Sequence, residues 1–406
     1  MTKWYIHAGW IGDDPLIGTI YIDKVRGEEV FSFEYEPEWL ESHPDIHLGP
    51  DVMPYTGRQF SPKDRAFGFL EDIAPDRWGR KLLDRREAIA ALSEERSPRK
   101  LMLFDYIAGV EDYTRPGGMR ISINGTYISG SDNMEVPPIT ELRELEQAVE
   151  GFEKQDKNEE RWLNMLLRPG TSLGGARPKA NVIDTDGALW IAKFPSKNDE
   201  TDISAWEMAA QDIMAKCGLS TPKCRYENIS GKGVFLSKRF DRDGSKRIHF
   251  ASAMTMLGLS DGTGEGSYRQ IADHLREHGE KASEDIHELW SRAAFSFAVN
   301  NTDDHLRNHA FVLGKNGWRL SPAYDVNPVP VHSESLPITN EYTYKNEYAL
   351  IKYAHEFFLT EEEAKARLKT IIEIVQDSWK DTAKKYGVSR KEIEKMAPAF
   401  IQTTQS

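Results

Sequence analysis

The stretch NNTDDHLRNHAFVLGKNGWRLSPAYD, residues 300–325, decides how this chain is read. It spaces an aspartate, a histidine and an asparagine as D-x-H-x-x-N, continues through a short apolar pattern and ends on a second aspartate. Upstream, Ile286, Leu289, Ala293 and Phe297 recur at helical spacing up to Val299, which predicts a loop at the end of a buried helix. AFVL, GKNG and WRLS then predict a hairpin, with Asn316-Gly317 supplying the positive φ values of a tight turn and Asp325 where the second strand ends. Helix, loop with Asp and Asn separated by four residues, hairpin, Asp: this is the order of the catalytic half of a protein-kinase-like phosphotransferase.

The chemistry accounts for the residue types. Phosphoryl transfer asks the protein to position a nucleophile and neutralise spreading charge, so one carboxylate belongs at the incoming hydroxyl and hard oxygen ligands belong at magnesium. Asp303 fits the first role, Asn308 and Asp325 the second, and His305 is placed to contact the transferring phosphate. D-x-H-x-x-N alone also suits a capped loop, since Asp, Asn and Thr gather where helices end. The hairpin and second aspartate tip the balance.

The rest of the chain gives that loop a body. Its 406 residues exceed the ~250–300 at which single cores stop growing, so several subdomains are expected. Hydrophobic residues at 39% and charged residues at 29% are ordinary for a globular protein, and no apolar run approaches the ~20 residues that span a bilayer, so no membrane role is expected. The start, MTKWYIHAGWIGDDP, is polar and acidic where a secretory signal is apolar, which points to the cytoplasm. Cys217 and Cys224 have neither disulfide-framework nor zinc spacing. A net charge of -13 opposes direct binding to DNA phosphates.

IGTIYID and the alternating VFSFEYE predict early strands, and residues 67–92 two short helices broken at Pro75 and Gly79. Ile139, Leu142, Leu145, Val149 and Phe152 mark an amphipathic helix after a turn-rich linker. Capping boxes at Thr360 to Glu363 and Ser389 to Glu392 announce C-terminal helices. In ALWIAKFPS, Lys193 occupies a strand-like run suited to a lysine that pairs with phosphates, and Glu207 on the next helix is its expected ion-pair partner. Lys193 also suits an edge strand with a solvated head, and Glu207 a surface position. TSLGGARPKA offers Gly174 and Gly175 for close phosphate approach and Lys179 for charge, although it matches neither G-x-G-x-x-G nor the P-loop.

Together these residues resemble the HipA family of bacterial toxin serine/threonine kinases. The resemblance rests on FGFLEDIAPDRWGRKLL, LFDYIAGVEDYTRPGGMR, SLGGARPKA, IAKFP, FLSKRFDRD, NNTDDHLRNHAF and SPAYDV, in order over nearly the whole chain. It implies an α+β, two-lobed protein-kinase-like fold with an accessory subdomain over residues 1–125, a linker and connecting helix over 126–150, an ATP-binding lobe over 151–240 and a helical catalytic lobe over 241–406. It also implies Asp303 as catalytic base, Asn308 and Asp325 as magnesium ligands, and Lys193 and His305 on the phosphates of ATP. Lys238 and Phe240 fall in SKRFD, which matches the adenine-binding hinge, and Ser172 matches a serine that family members autophosphorylate. The implied partners are a helix-turn-helix antitoxin of HipB type, through which DNA contact would be indirect, and a protein substrate, in some relatives an aminoacyl-tRNA synthetase. Arg177-Pro178 before Lys179 departs from some members. A small-molecule phosphotransferase would share these motifs and differ in its acceptor, and a non-catalytic nucleotide- or antitoxin-binding regulator would not require all four of Asp303, Asn308, Asp325 and Lys193.

Overall fold

The computed structural model describes residues 2–400 except 64, 130–135, 156–157, 168–174, 176, 262–265, 334 and 343–344. The chain forms two compact units: Met1–Lys197 with Lys238–Ala251, and Asn198–Ser237 with Ser252–Ser406.

The first unit opens with β1 (Thr2–Ala8), β2 (Leu16–Val25) and β3 (Glu28–Tyr35). Alternation buries Trp4, Ile6 and Ala8, then Ile20 and Ile22, then Phe31, Phe33 and Tyr35. After α1 (Pro37–Ser42) come β4 (Gln59–Phe60), α2 (Gly68–Ile73), α3 (Arg77–Ser93), α4 (Leu103–Ala108), β5 (Met119–Ile123) and β6 (Thr126–Tyr127). The six strands form one antiparallel sheet in the order β4-β3-β2-β1-β5-β6. Strand β1 occupies the polar opening of the chain, where the Trp4-Ile6-Ala8 alternation carries the strand pattern. Gly79 is not a break: it sits in the first turn of α3, where its N–H donates to the capping Asp76 at 2.8 Å, so only Pro75 separates the two helices. Helices α5 (Leu142–Lys154) and α6 (Glu159–Leu167) precede the antiparallel hairpin of β7 (Lys179–Ile183) and β8 (Leu189–Lys193). Leu142, Leu145, Val149 and Phe152 of α5 are buried as the periodicity requires.

Next come α7 (Ile203–Lys216) and a hairpin of β9 (Cys224–Ile229) with β10 (Lys232–Lys238). Residues 238–251 belong again to the first unit and carry β11 (Arg242–Asp243), β12 (Lys246–Arg247) and the start of β13 (Phe250–Ser252). They are fastened there by buried charge. Arg239 and Arg242 both donate to Asp241, and between them to the carbonyls of Tyr113, Thr114, Arg115 and Gly117, while the Gly117 N–H donates to Asp241 at 2.7 Å.

The remainder of the second unit is mostly helical: α8 (Ala253–Met256), α9 (Tyr268–His278), α10 (Ala282–Ala298), the hairpin β14 (Ala310–Leu313) and β15 (Trp318–Leu320), then α11 (Glu347–Lys352), α12 (Glu361–Lys385) and α13 (Arg390–Met396). Helix α10 is its axis, packed against α9 and α12, with Ile286, Leu289, Trp290 and Ala293 buried. The box at Thr360 and Glu363 is reciprocal, whereas at Ser389 only half of it forms: the Glu392 N–H donates to Ser389 Oγ, but the Glu392 side chain accepts from the Asp202 N–H and the Trp206 indole. The β14–β15 loop spans four residues closed by Gly314 N–H to the Gly317 carbonyl, and of Asn316-Gly317 only Gly317 has positive φ, at 147°. Among the described residues no helix is long and apolar enough to cross a membrane.

Candidate active site

Helix α10 ends at Ala298, and the loop begins with Asn300 at φ 49°. The left-handed residue turns the chain away from the helix axis, as asparagine does more readily than bulkier residues. Asp303 then projects outward, its side chain 79% exposed, with one carboxylate oxygen 3.7 Å from Nε2 of the half-exposed His305. Asn308 closes a single 3-10 turn, Leu306–Asn308, and is buried. Its Nδ2 donates to the Asp303 carbonyl at 2.8 Å, which leaves Oδ1 turned the other way as an acceptor.

The second aspartate is brought to this loop by its neighbours. Tyr324 donates its hydroxyl to the carbonyl of Arg307 at 2.8 Å, one residue before Asn308. On the other side of Asp325, the Asn327 N–H donates to Asn301 Oδ1 at 3.4 Å, and Asn300 Nδ2 donates to the Val329 and Val331 carbonyls. Asp325 therefore sits between two tethers to the D-x-H-x-x-N loop, with φ 57°, a strained value for a non-glycine residue. It lies beyond the strand rather than at its end: β15 stops at Leu320, Ser321 makes one more bond to Ala310, and Pro322 has no N–H to continue. A cavity of about 20 Å³, room for roughly one water, is lined by Asn308, Tyr324 and Val326 among others.

Asn308 and Asp325 present an amide oxygen and a carboxylate, a hard-oxygen set that suits magnesium completed by phosphate and water oxygens. Among the described residues no group of three or more His, Cys, Asp or Glu side chains could hold a metal ion.

The loop also holds residues that the motif left unread. Asp304 points inward, its side chain 3% exposed, and accepts from Tyr268 Oη at 2.6 Å, Ser296 Oγ at 2.9 Å, His309 Nε2 at 2.8 Å and Lys345 Nζ at 2.6 Å. Burial works to raise its pKa, but the Lys345 and His309 charges and their hydrogen bonds outweigh it and hold the carboxyl well below the usual range. Burial lowers the Lys345 ammonium and raises the Tyr268 phenol. Asp304 and His309 lie in the same short stretch, but nothing local marks Asp304 as the inward aspartate of the two, and Lys345 carries no local signal.

The first unit holds the other cationic candidates. Lys193 ends β8 and is buried, and Lys179 lies directly opposite it across the hairpin. Lys179 is not a solvent-facing phosphate hook: its Nζ lies 3.0 Å from Asp76, both side chains nearly inaccessible. Gly175, at φ 86°, sits over that ammonium, and a Cβ there would come within 3.3 Å of Nζ. Lys238 is half-buried at the end of β10, and Phe240 packs 6.0 Å from Phe250, ring to ring. Glu207 is buried on α7, in the second unit. Ser172 and Gly174 lie outside the described residues.

A model of the HipA-like C-terminal domain matches residues 171–379, and one of the HipA N-terminal domain matches residues 11–109. The solved complex of HipA, HipB and operator DNA from Shewanella oneidensis MR-1 is similar over 98% of this chain and 94% of that one, with a TM-score of 0.67 at 16% identity. A Haemophilus influenzae protein named "Putative kinase" is 28% identical over 187 residues, 40% of this chain and 54% of that protein. "Putative kinase Y4mE" of Sinorhizobium fredii is 22% identical over 258 residues, 57% of this chain and 55% of that protein. The chain spans about half the length of these curated relatives. The fold is thus α+β, of the two-lobed kinase-like class. Within that class, the chain belongs to the HipA family.

Proposed function

We propose that this chain is an ATP-dependent serine/threonine protein kinase of HipA type, acting in the cytoplasm as the toxin of a toxin-antitoxin pair. The observation that carries the reading is the joining of the D-x-H-x-x-N loop to the Asp325 segment through Tyr324 and Asn301. In this reading Asp303, exposed on a held backbone, orients the acceptor hydroxyl and takes its proton, and His305 beside it faces the transferring phosphate. Asn308 Oδ1 and the Asp325 carboxylate would hold magnesium, which when bound supplies positive charge against the ATP phosphates. Family membership supports Lys193 as the phosphate-side cation, Gly174 and Gly175 as the loop over the phosphates, and Lys238 and Phe240 as the hinge at the base; Lys179, paired with Asp76, is left out of that role. It also supports an antitoxin of HipB type as partner, and inactivating autophosphorylation at Ser172, which mass spectrometry after incubation with magnesium-ATP would read.

The test is Asp303→Asn. With labelled ATP and a bacterial lysate, the variant is expected to lose transfer by roughly 10²–10⁴-fold while keeping fold and ATP affinity, the usual cost of removing a positioned base. Expression of the wild type should slow bacterial growth and the variant should not. Undiminished transfer by a folded Asp303→Asn protein sinks the assignment.

A further inference from the structure

We infer that Asp304 and Lys345 form the device that positions the catalytic loop, so that Lys345 is required for phosphoryl transfer although its ammonium is committed inside the protein; the inference rests on the kinase reading above. Adjacent aspartates are split between two tasks. Asp303 is 79% exposed and Asp304 3% exposed in side-chain terms, so the loop backbone between them is the boundary between solvent and core. Both ends of Asp304 are held: its carboxylate by Tyr268 of α9, Ser296 of α10, His309 before β14 and Lys345, and its carbonyl by the Leu336 N–H at 2.9 Å. Asn308 then ties back to the carbonyl of Asp303. The proposed base and the proposed metal ligand therefore stand on a backbone that one buried carboxylate anchors from the inside, while Tyr324 and Asn301 tether it to the Asp325 segment.

Lys345 supplies the larger of the two charges, with His309, that keep that carboxylate ionised. Its Nζ donates to Asp304 at 2.6 Å and to Ser296 Oγ at 2.7 Å. The nearby Arg292 guanidinium is bonded to Glu288 instead. Earlier in the chain, Pro337 and Ile338 are fixed to α9, their carbonyls accepting from the Tyr268 and Arg269 N–H groups. Removing Lys345 takes away the closest cation and leaves the buried carboxylate with Tyr268, Ser296 and His309, a deficit that the loop can relieve by moving or by taking up a proton. A displacement of about 1 Å at a reacting group can cost on the order of 10²-fold in rate.

The test uses the full chain with Lys345→Met, Tyr268→Phe and the neutral pair Asp304→Asn/Lys345→Met. Three quantities are read: kcat and KM for magnesium-ATP, ATP affinity by calorimetry, and amide exchange over residues 300–309. Lys345→Met is expected to lower kcat by about 10²-fold with KM for ATP within about twofold, and to speed exchange in the loop but not in α12. Tyr268→Phe, which removes one hydrogen bond and keeps the ring, should do the same more weakly and carries the test if Lys345→Met does not fold. The neutral pair should recover loop protection and part of the lost kcat. Wild-type kcat and exchange in Lys345→Met and Tyr268→Phe, alongside an inactive Asp303→Asn, would overturn the device and leave the kinase reading intact. Parallel loss of kcat, ATP affinity and thermal stability in every variant would also overturn it, as a structural role only. If the wild type transfers no phosphate, the kinase reading fails, and the exchange data alone decide whether this pair holds the loop.

Discussion

His249 shows how far one buried side chain can set the response to pH. It is 2% exposed and stacks on Trp10 with ring centroids 4.2 Å apart. Burial pushes its pKa down from 6.5 to about 3. The folded state thus binds fewer protons here than the unfolded chain, so the contribution to stability is complete above about pH 6.5 and declines as pH falls towards 3. Between pH 6.5 and 5 this one residue should cost about 2 kcal/mol of unfolding free energy, at about 1.36 kcal/mol per pH unit. Urea titrations of wild type and His249→Phe at pH 7.5 and 5 should differ by that amount in their pH dependence; equal dependence refutes it. Residues with an outward task, Asp303 and Asn308, were legible because their spacing is short and chemically constrained. Asp304 was not, because nothing local separates an inward aspartate from its outward neighbour.

At the scale of elements, Asp76 joins two structures. One of its oxygens caps α3 through the Gly79 N–H, and the other pairs with Lys179 of β7. Losing a cap costs about 1 kcal/mol, and stranding one partner of a buried pair about 3–5 kcal/mol. Asp76→Ala should therefore be markedly destabilised in chemical denaturation, and Asp76→Asn, which keeps the capping oxygen, should lose chiefly the pair. An Asp76→Asn protein as stable as wild type would show that the pair contributes nothing net. The longer helices α3, α5, α10 and α12 were readable from periodicity or caps. Glu392 departs from its box because the Trp206 indole and the Asp202 N–H offer it partners from distant sequence, which no local pattern announces.

For the molecule as a whole, the proposed chemistry requires the metal. Asn308 and Asp325 are too few ligands to hold magnesium alone, so affinity for ATP and for magnesium should be linked. Calorimetry is expected to show ATP binding weakened at least tenfold in EDTA, about 1.4 kcal/mol, and similarly in Asp325→Ala with magnesium present. Equal ATP affinity with and without magnesium counts against the assignment of both ligands.

Local patterning was enough to place the most strongly periodic helices, the strands β2, β3, β8, β14 and β15 and the D-x-H-x-x-N loop, because hydrophobic period, caps and turn chemistry act over a few residues. It also named the two aspartates and the asparagine. It could not show that Tyr324 and Asn301 bring the Asp325 segment to the loop, that Lys345 supplies the charge beside Asp304, or that Lys179 is occupied by Asp76. Those contacts join residues from 17 to more than 100 positions apart, and they exist only because burial makes an unpartnered charge or polar group costly.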